Sequence, residues 1–271
     1  MKVALVTGAG DRSIGAATAG ALRARGFRVL TTTRSCPITA DHHPLDLADA
    51  GSVARLAAWV PERLDLLVNN AGIHLDLRSR WTEPQLVDGH EVHWRTNYLG
   101  TAQLTRLLLD NLLESGDARV VNVVSKLHDR GRNEWLVAPV APYDSWAAYG
   151  TSKLALVHEA AEIERRYGGV GVHGYSLHPG SVYTRIADRG LETAPVLGRL
   201  RRLAAPIERR TLLTPEVGAR TTVFCATSPD ARPGGYHRRE APAEPSADAQ
   251  DAAVAAKLWD ETSAWTASLL T

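Results

Sequence analysis

Short apolar runs alternate with longer segments of helical character along most of this 271-residue chain. Each run is predicted to be a buried strand, and each helical segment is predicted to pack against the sheet that the strands form. Such alternation is typical of βαβ units, in which helices cover both faces of a parallel sheet. The strands are predicted at residues 3–6, 28–33, 64–68, 119–124 and 172–177. The sequence therefore predicts an α/β fold with one Rossmann-type, doubly wound parallel sheet.

A single domain over residues 1–271 is predicted, because a hydrophobic content of 44% supports one substantial core. Residues 185–214 would form a lid over the substrate. Residues 229–251, rich in proline, glycine and charge, predict an irregular connection with a brief strand candidate at 234–236. A closing helix is expected at about 249–269, because four apolar residues recur there at helical spacing: Val254, Leu258, Trp265 and Leu269.

The charges are balanced, with 31 Lys and Arg residues against 30 Asp and Glu residues. A chain with so little net charge has no general attraction for nucleic acid or an anionic membrane, so neither is expected as a partner. No run approaches the roughly 20 apolar residues that a membrane helix requires. Cys36 and Cys225 lie far apart in the sequence and predict neither a zinc site nor a disulfide framework. A cytoplasmic protein without a bound metal is the resulting expectation.

A glycine-rich turn joins the first predicted strand to an alanine-rich helical segment. It covers residues 7–15 and contains Gly8, Ser13, Ile14 and Gly15. Glycines let the backbone turn tightly and approach a pyrophosphate, whose charge is met by free N–H groups at the start of the following helix. The turn therefore indicates a dinucleotide-binding loop. A merely tight strand-to-helix connection is the alternative interpretation.

Tyr149 and Lys153 are four residues apart in a segment of helical character, so they share one helix face. A phenol with its ordinary pKa near 10 is a poor base at neutral pH, and a fixed ammonium beside it would lower that pKa. Ser125 follows a predicted strand, which places its hydroxyl at the carboxyl edge of the sheet, where this fold binds ligands. The three residues together predict a proton-handling site.

These motifs, taken in chain order, resemble those of the short-chain dehydrogenase/reductase family. The resemblance rests on the glycine-rich turn, Asn69-Asn70-Ala71-Gly72, Ser125, the segment from Tyr149 to Lys153, and Pro179-Gly180. Within the family, Asn97-Tyr98-Leu99-Gly100 and His178-Pro179-Gly180 are similar to the retinol-dehydrogenase-like branch. The turn is one residue longer than the commonest family pattern, and Ser13 replaces its middle glycine. We therefore expect an altered loop that still binds the cofactor.

The resemblance implies roles for individual residues. Lys153 would also bind the nicotinamide ribose, and Ser125 would hydrogen-bond the substrate oxygen. Asn97 would hold a water that relays protons from Lys153. The alternatives are a strand-end cap at Ser125 and a helix kink at Asn97. The other implied cofactor-binding residues are Asp46 and Leu47 at the adenine, Asn70, Ala71 and Gly72 near its ribose, and Pro179, Gly180, Val182 and Thr184 at the nicotinamide.

The residues after the second predicted strand favour NADP(H) over NAD(H). An NAD-preferring member of this fold would place an acidic residue there to bind the ribose hydroxyls, whereas this chain reads Thr31-Thr32-Thr33-Arg34. Arg12 in the phosphate turn is a second cation. Two guanidinium groups could bind the 2′-phosphate of NADP through charge-assisted hydrogen bonds. The alternative is that both arginines are solvated surface residues of an arginine-rich chain.

Two segments are expected to contact the substrate. The predicted lid contains a cluster of arginines, for which a solvated helix face is favoured over an acidic substrate or an acyl-carrier partner. They are Arg199, Arg201, Arg202, Arg209 and Arg210. The stretch between Ser125 and Tyr149 is suited to one wall of an apolar pocket, because it contains Trp135, Pro139, Pro142, Tyr143 and Trp146. A hydrophobic or aromatic substrate is therefore expected.

The sequence predicts an NADP(H)-dependent carbonyl reductase or alcohol dehydrogenase acting on a ketone, aldehyde or alcohol. A second hypothesis is an enoyl reductase, because those enzymes have a similar longer turn ending Ser13-Ile14-Gly15; their Tyr-to-Lys spacing, however, is wider than the four residues here. A third is a cofactor-binding scaffold without turnover. Relatives commonly assemble through the helices that carry Asn97 and Tyr149, so a homodimer or homotetramer is also considered.

Overall fold

The computed structural model describes residues 1–75, 81–180 and 213–269. An eight-stranded sheet forms the centre of the molecule. Its strands are β1 (Val3–Val6), β2 (Arg28–Thr33), β3 (His42–Pro44), β4 (Leu66–Asn69), β7 (Ala118–Val123), β8 (Val172–His178), β9 (Tyr236–Arg238) and β10 (Ala241–Ala243). The short strands β5 (Leu86–Val87) and β6 (His90–Glu91) form a separate antiparallel pair.

The strands lie in the order β10-β9-β8-β7-β4-β1-β2-β3, and every neighbouring pair is parallel except β9 and β10. From β1 the chain moves outward to β2 and β3, and then returns to place β4 on the other side of β1. Such a reversal leaves a crevice at the carboxyl ends of β1 and β4, where sheets of this class bind ligands. The prediction of a doubly wound Rossmann-type fold is confirmed.

Helices cover both faces of the sheet. They are α1 (Ile14–Arg23), α2 (Ala50–Trp59), α3 (Gly100–Leu107), α4 (Leu109–Leu113), α5 (Ser145–Tyr167), α6 (Pro215–Thr227) and α7 (Ala252–Ser268). Successive strand residues point to opposite faces. Ala4 and Val6 belong to a buried cluster with residues of α1 and α6, whereas Leu5 belongs to one with residues of α2 and α3. Because both faces are buried, the inner strands are apolar almost throughout.

Three strands of the sheet differ from the sequence-based prediction. β3 is short and polar, and its His42 ring hydrogen-bonds with the hydroxyls of Thr31 and Thr33 at 2.7 and 3.1 Å. β9 and β10 form a hairpin within the segment predicted to be irregular, and only the strand candidate at 234–236 overlaps with them. β9 depends on pairing with the distant strand β8, which a local pattern does not reveal, while β3 and β10 are short strands that pair with β2 and β9.

Helix α7 packs across α3 and α5. Tyr98 Oη and Thr262 Oγ1 are 2.9 Å apart, and Leu258 is buried. Leu269, which the spacing places on the packed face, is 39% exposed, because α7 ends at Ser268. None of the helices in the described ranges has the length and apolar character needed to span a bilayer.

Arg106 and Glu159 form a buried ion pair between α3 and α5. Their side chains are 9% and 1% exposed, and the closest nitrogen and oxygen atoms are 2.5 Å apart. The ring of Trp259 on α7 covers the pair, with the Arg106 guanidinium 3.8 Å from its centroid. Removing one member of a buried pair leaves an uncompensated charge, so this contact ties the three helices together.

Glu159→Leu would leave the Arg106 guanidinium buried without a carboxylate. The free energy of unfolding is expected to fall by about 3–5 kcal/mol, as measured by urea titration followed by circular dichroism. Glu261→Gln is the matched control, since it removes an exposed partner of Lys257 and should cost less than about 1 kcal/mol. Equal losses in the two variants would contradict a stabilising role for the buried pair.

Candidate active site

The turn after β1 folds around the side chain of Ser13. The Ser13 hydroxyl donates to the Gly8 carbonyl at 3.2 Å and accepts from the Ala16 amide at 3.0 Å, so Ser13 is the N-cap of α1. Gly8 has a φ of 69°, in the left-handed region that favours glycine. The altered loop expected from Ser13 is therefore a capped turn, with Ile14 and Gly15 opening the helix.

The turn and the loop after β4 approach too closely for side chains to fit between them. A Cβ on Gly15 would lie 2.5 Å from the Gly8 oxygen and 2.6 Å from Asn70 Nδ2. A Cβ on Gly8 would lie 2.9 Å from the Cα of Ala71. Asn70 Nδ2 donates to the carbonyl oxygens of Thr7 and Gly8 at 2.8 and 3.1 Å. The structure thus joins two predicted cofactor segments at the crevice between β1 and β4.

Arg12 and Arg34 lie at exposed positions around this turn. The Ala9 amide donates to the Thr32 carbonyl at 2.8 Å, which holds the turn against the end of β2, just before Arg34. Arg12 has a φ of 57°, which is uncommon for a residue with a side chain. Neither guanidinium pairs with a carboxylate among the residues that the structure describes. Both cations are therefore available to an anionic ligand.

The predicted adenine contacts, Asp46 and Leu47, follow β3 at the same edge of the sheet. Asp46 Oδ1 accepts from the Ala48 amide at 2.9 Å. Leu47 is buried, and its carbonyl accepts from the Arg95 guanidinium at 2.9 Å. These hydrogen bonds fix the loop in place, while the contact with adenine stays a prediction.

Tyr149, Ser125 and Lys153 converge at the carboxyl edge of the sheet. Tyr149 and Lys153 are buried one turn apart on α5, with the Lys153 Nζ 5.7 Å from the centroid of the phenol ring. Lys153 Nζ donates to the Val123 carbonyl at 3.4 Å. Ser125 follows β7, and its hydroxyl lies close enough to the Tyr149 phenol to lower the pKa of that phenol. Ser125 also accepts from the Leu127 amide at 3.2 Å, so the strand-end cap considered from the sequence is present as well.

Burial dominates the ionisation of this site. It raises the pKa of Tyr149 to about 12, and the nearby Ser125 hydroxyl offsets only part of the rise. Burial also lowers the pKa of Lys153 to about 8. Burial is the largest cause of the Tyr149 shift, and the lowering of the phenol pKa expected from the Lys153 ammonium and the oxidised nicotinamide together stays a prediction. At neutral pH the site holds a neutral phenol beside a mostly protonated lysine.

Asn97 ties the loop after β4 to helix α5. It lies in a π-helical turn, Trp94–Leu99, directly before α3. Its Oδ1 accepts from the Ile73 amide at 2.7 Å, and its Nδ2 donates to the Ile73 carbonyl at 3.0 Å. Nδ2 also donates to Ser152 Oγ at 3.1 Å, and Ser152 donates to the Tyr149 carbonyl at 2.7 Å. The helix irregularity considered from the sequence is present, and the proton-relay role of Asn97 stays a prediction.

Two further glycines lie at this edge. A Cβ on Gly72 would lie 3.1 Å from Asn97 Oδ1 and 3.2 Å from Lys153 Nζ, so the loop passes directly over both side chains. The Pro179-Gly180 turn follows β8, and Gly180 has a φ of 91°. The turn thus lies at the carboxyl end of β8, and its contact with the nicotinamide stays a prediction. Val182, Thr184 and residues 185–212 of the predicted lid lie outside the described residues, so their roles stay predictions.

An aromatic cavity of about 530 Å³ lies beside the start of α5. Its lining includes three of the residues predicted for a pocket wall, Trp135, Pro142 and Tyr143, together with Trp81 and Ala147. Pro139, also predicted for that wall, is exposed. Ala147 lies on the same helix as Tyr149, two residues before it, so the cavity lies at the same end of α5 as the phenol.

Sequence analysis missed two histidines that contact Tyr149. The His74 ring is stacked on the phenol, with centroids 4.0 Å apart and planes 7° apart. The His93 ring meets it edge-on at 5.9 Å. Trp146, predicted for the pocket wall, packs against His74 at 5.4 Å. A signal was present, because His93 lies four residues before Asn97 and His74 directly follows the loop that Asn97 binds.

The chain matches the family described as short chain dehydrogenase over residues 2–194. It belongs to the short-chain dehydrogenase family. Retinol dehydrogenase 12 from Mus musculus is 34% identical over 280 residues, an alignment that covers 96% of this chain and 84% of that protein. The family makes the chain an oxidoreductase that uses a nicotinamide cofactor and acts on a CH–OH group.

Two solved structures extend the comparison. An uncharacterized protein from Mycobacterium paratuberculosis is 30% identical, covers 98% of this chain and 93% of its own, and has a TM-score of 0.73. An oxidoreductase of the family from Brucella ovis, in complex with a partially ordered NAD, is 26% identical over 72% of this chain and 90% of its own, with a TM-score of 0.52. The capped turn, the Asn70 contacts and the edge around Tyr149 fit such a dinucleotide.

Lys153→Met should stabilise the protein at neutral pH. The buried lysine has a pKa of about 8, below its ordinary 10.5, so the folded state binds this proton more weakly than the unfolded state does. Folding with a protonated Lys153 therefore costs about 3 kcal/mol. The advantage of the variant should be largest below pH 8 and should shrink as the pH rises toward 10.5.

Urea titrations of both proteins between pH 7 and about 9.5 measure this difference before Tyr149 ionises. Lys257→Met is the control, since it makes the same substitution at an exposed lysine outside the site. A constant difference between Lys153→Met and the native chain across this range would argue against a depressed lysine pKa.

Proposed function

We propose that the chain is an NADP(H)-dependent oxidoreductase that transfers a hydride between the nicotinamide and the carbonyl carbon of a ketone or aldehyde, or the corresponding alcohol. The observation that carries the proposal is the placement of the Tyr149 phenol. It is buried, close enough to Ser125 for that hydroxyl to lower its pKa, and one helical turn from Lys153. When bound, the nicotinamide supplies or accepts the hydride.

The chain's own residues would supply the proton. A phenol with a pKa of about 12 is neutral at pH 7 and can donate to the oxygen that gains charge during carbonyl reduction. The Ser125 hydroxyl would donate a second hydrogen bond to that oxygen. The Lys153 ammonium would compensate the phenolate that is left behind. In alcohol oxidation the same group would accept the proton in its ionised form, so the direction of turnover would follow the ratio of reduced to oxidised cofactor.

NADP(H) is proposed over NAD(H) because of the charges around the phosphate turn. Arg12 and Arg34 are exposed and pair with no carboxylate in the described part of the chain, and β2 ends in threonines where NAD-binding members of this fold place an acid. Two guanidinium groups suit the 2′-phosphate that distinguishes NADP. The Brucella ovis structure holds NAD, so the cofactor test must include both.

A hydrophobic or aromatic substrate is proposed from the aromatic cavity beside α5. Trp81, Trp135 and Tyr143 present large apolar surfaces with few polar atoms. The mouse relative is named for retinol, which is an apolar alcohol. Enoyl reduction is less well supported, because Tyr149 and Lys153 are four residues apart and the corresponding spacing in enoyl reductases is wider. A scaffold without turnover is tested by the Tyr149 variant below.

The assembly and location of the protein are also proposals. A homodimer or homotetramer through the helices near Asn97 and Tyr149 would include α7 in its interface, since α7 packs over α3 and α5. A cytoplasmic location suits Cys36 and Cys225, which are both free thiols. Neither nucleic acid nor membrane is proposed as a partner.

Tyr149→Phe should lower kcat for carbonyl reduction by about 10²–10⁴-fold, because it removes the proton donor. A panel of aromatic ketones, aldehydes and enones, assayed by NADPH consumption, measures the loss. The affinity for NADPH, measured by fluorescence titration, should stay within about three-fold. Tyr167→Phe, at the far end of the same helix, is the control and should retain activity. Full turnover by Tyr149→Phe would refute the proposed mechanism.

Arg12→Ala and Arg34→Ala should each raise the KM for NADPH by about ten-fold or more, with little change in the KM for NADH. A lost charge-assisted hydrogen bond costs about 1.5–3 kcal/mol. Arg25→Ala, an exposed arginine on the loop after α1, controls for a general loss of positive charge. If the native chain consumes NADH but not NADPH, the NADP(H) assignment is wrong.

A further inference from the structure

The phenol of Tyr149 is packed against the imidazole of His74. The two rings are nearly parallel, with their centroids 4.0 Å apart and their planes 7° apart, and His74 is fully buried. An aromatic pair of this kind contributes about 0.5–1.5 kcal/mol beyond the area that it buries, and it restricts the directions in which the phenol ring can tilt. The position of the Tyr149 hydroxyl therefore depends on where His74 lies.

The backbone on both sides of His74 is held by buried side chains. Ile73 exchanges two hydrogen bonds with Asn97, at 2.7 and 3.0 Å. The Leu75 amide donates to His93 Nε2 at 3.3 Å. His74 is thus fixed from both directions along the chain, by two residues that lie one helical turn apart before α3.

His93 is in turn held by Glu91. His93 Nδ1 and Glu91 Oε1 are 2.8 Å apart, and the other carboxylate oxygen accepts from the Trp94 amide at 2.8 Å. The Tyr143 hydroxyl donates to Glu91 Oε1 at 3.0 Å. Because Nε2 accepts from Leu75, we assign the His93 proton to Nδ1, where it is donated to the carboxylate. Glu91 therefore orients a ring that both supports Leu75 and contacts Tyr149.

We propose that His74 is a positioning residue for proton transfer by Tyr149, held in place by the Glu91–His93 pair. This inference rests on the proposed function of Tyr149. His74 exchanges no proton with the substrate in this account. It supports one face of the phenol, so that the hydroxyl stays directed at the reacting oxygen. Misplacement of a reacting group by about 1 Å can cost about 10²-fold in rate, which sets the scale of the effect.

Three substitutions at His74 distinguish two effects on kcat, the stacking of a planar ring on Tyr149 and the filling of the space that the side chain occupies. His74→Phe keeps a planar ring of similar size and should retain kcat within about three-fold. His74→Leu fills the space without a stacking plane, and His74→Ala leaves it empty; both should lose about 10- to 100-fold in kcat. The KM for NADPH should stay within about three-fold in all of them, because the phosphate turn is unchanged. Rescue by phenylalanine alone is the expected signature.

Glu91→Ala tests whether the Glu91–His93 pair holds His74 in place, since it removes the acceptor that orients His93. It should lower kcat in the same direction as His74→Leu, again with an unchanged KM for NADPH. His237→Ala is the matched control, because His237 is a fully buried histidine in ring contact with Tyr175, outside the site. It should lower the melting temperature without lowering kcat.

The inference would be overturned if His74→Leu and His74→Ala had the same kcat as the native chain. It would also be overturned if His74→Phe lost as much kcat as His74→Leu and His74→Ala. Both outcomes require turnover by the native chain and its loss in Tyr149→Phe. If the native chain and Tyr149→Phe behave alike on every substrate, the proposed function itself fails. Thermal melts identify any variant that does not fold, and His74→Leu, which leaves no cavity, then stands in for His74→Ala.

Discussion

The contact between the turn after β1 and the loop after β4 is the constraint on which the site depends. Gly15 and Gly8 have no Cβ, so Asn70 can reach two carbonyl oxygens of the turn. The loop then continues at a depth where Asn97 binds both polar groups of Ile73. The turn after β1 and the edge around Tyr149 are therefore both tied to one backbone segment, residues 70–73, and a displacement at one would be transmitted to the other.

Burial sets the protonation states of Tyr149 and Lys153, and it also lowers the stability of the folded state. The same desolvation that keeps the Tyr149 phenol neutral weakens the hold of Lys153 on its proton. A protein selected only for stability would place an apolar residue at position 153, since no carboxylate is among the causes that set the ionisation of that lysine. The stability of the folded state would favour an apolar residue at this edge of the sheet, whereas the proposed proton transfer requires a lysine there.

Much of the fold was predictable because local patterns of apolar residues indicate its strands and helices. Strands at 3–6 and 28–33 agree with β1 and β2, since apolar runs buried on both faces leave a clear signal. The polar strand β3 has no such apolar signal, because its His42 is held by hydrogen bonds with the hydroxyls of Thr31 and Thr33 on β2. In the site, the spacing of Tyr149 and Lys153 predicted their shared face. The stacking of His74 and the direction of the pKa shifts depend on tertiary burial, which no local pattern contains.

Helix α7 contributes no residue to the proposed chemistry, yet Trp259 covers the ion pair that joins α3 to α5. These helices follow Asn97 and carry Tyr149, respectively. During synthesis α7 emerges after every other described element, because translation proceeds from the amino terminus. A ribosome-bound chain can therefore form most of its sheet early, whereas the two helices behind the site reach their final packing only when residues 252–268 are free of the exit tunnel.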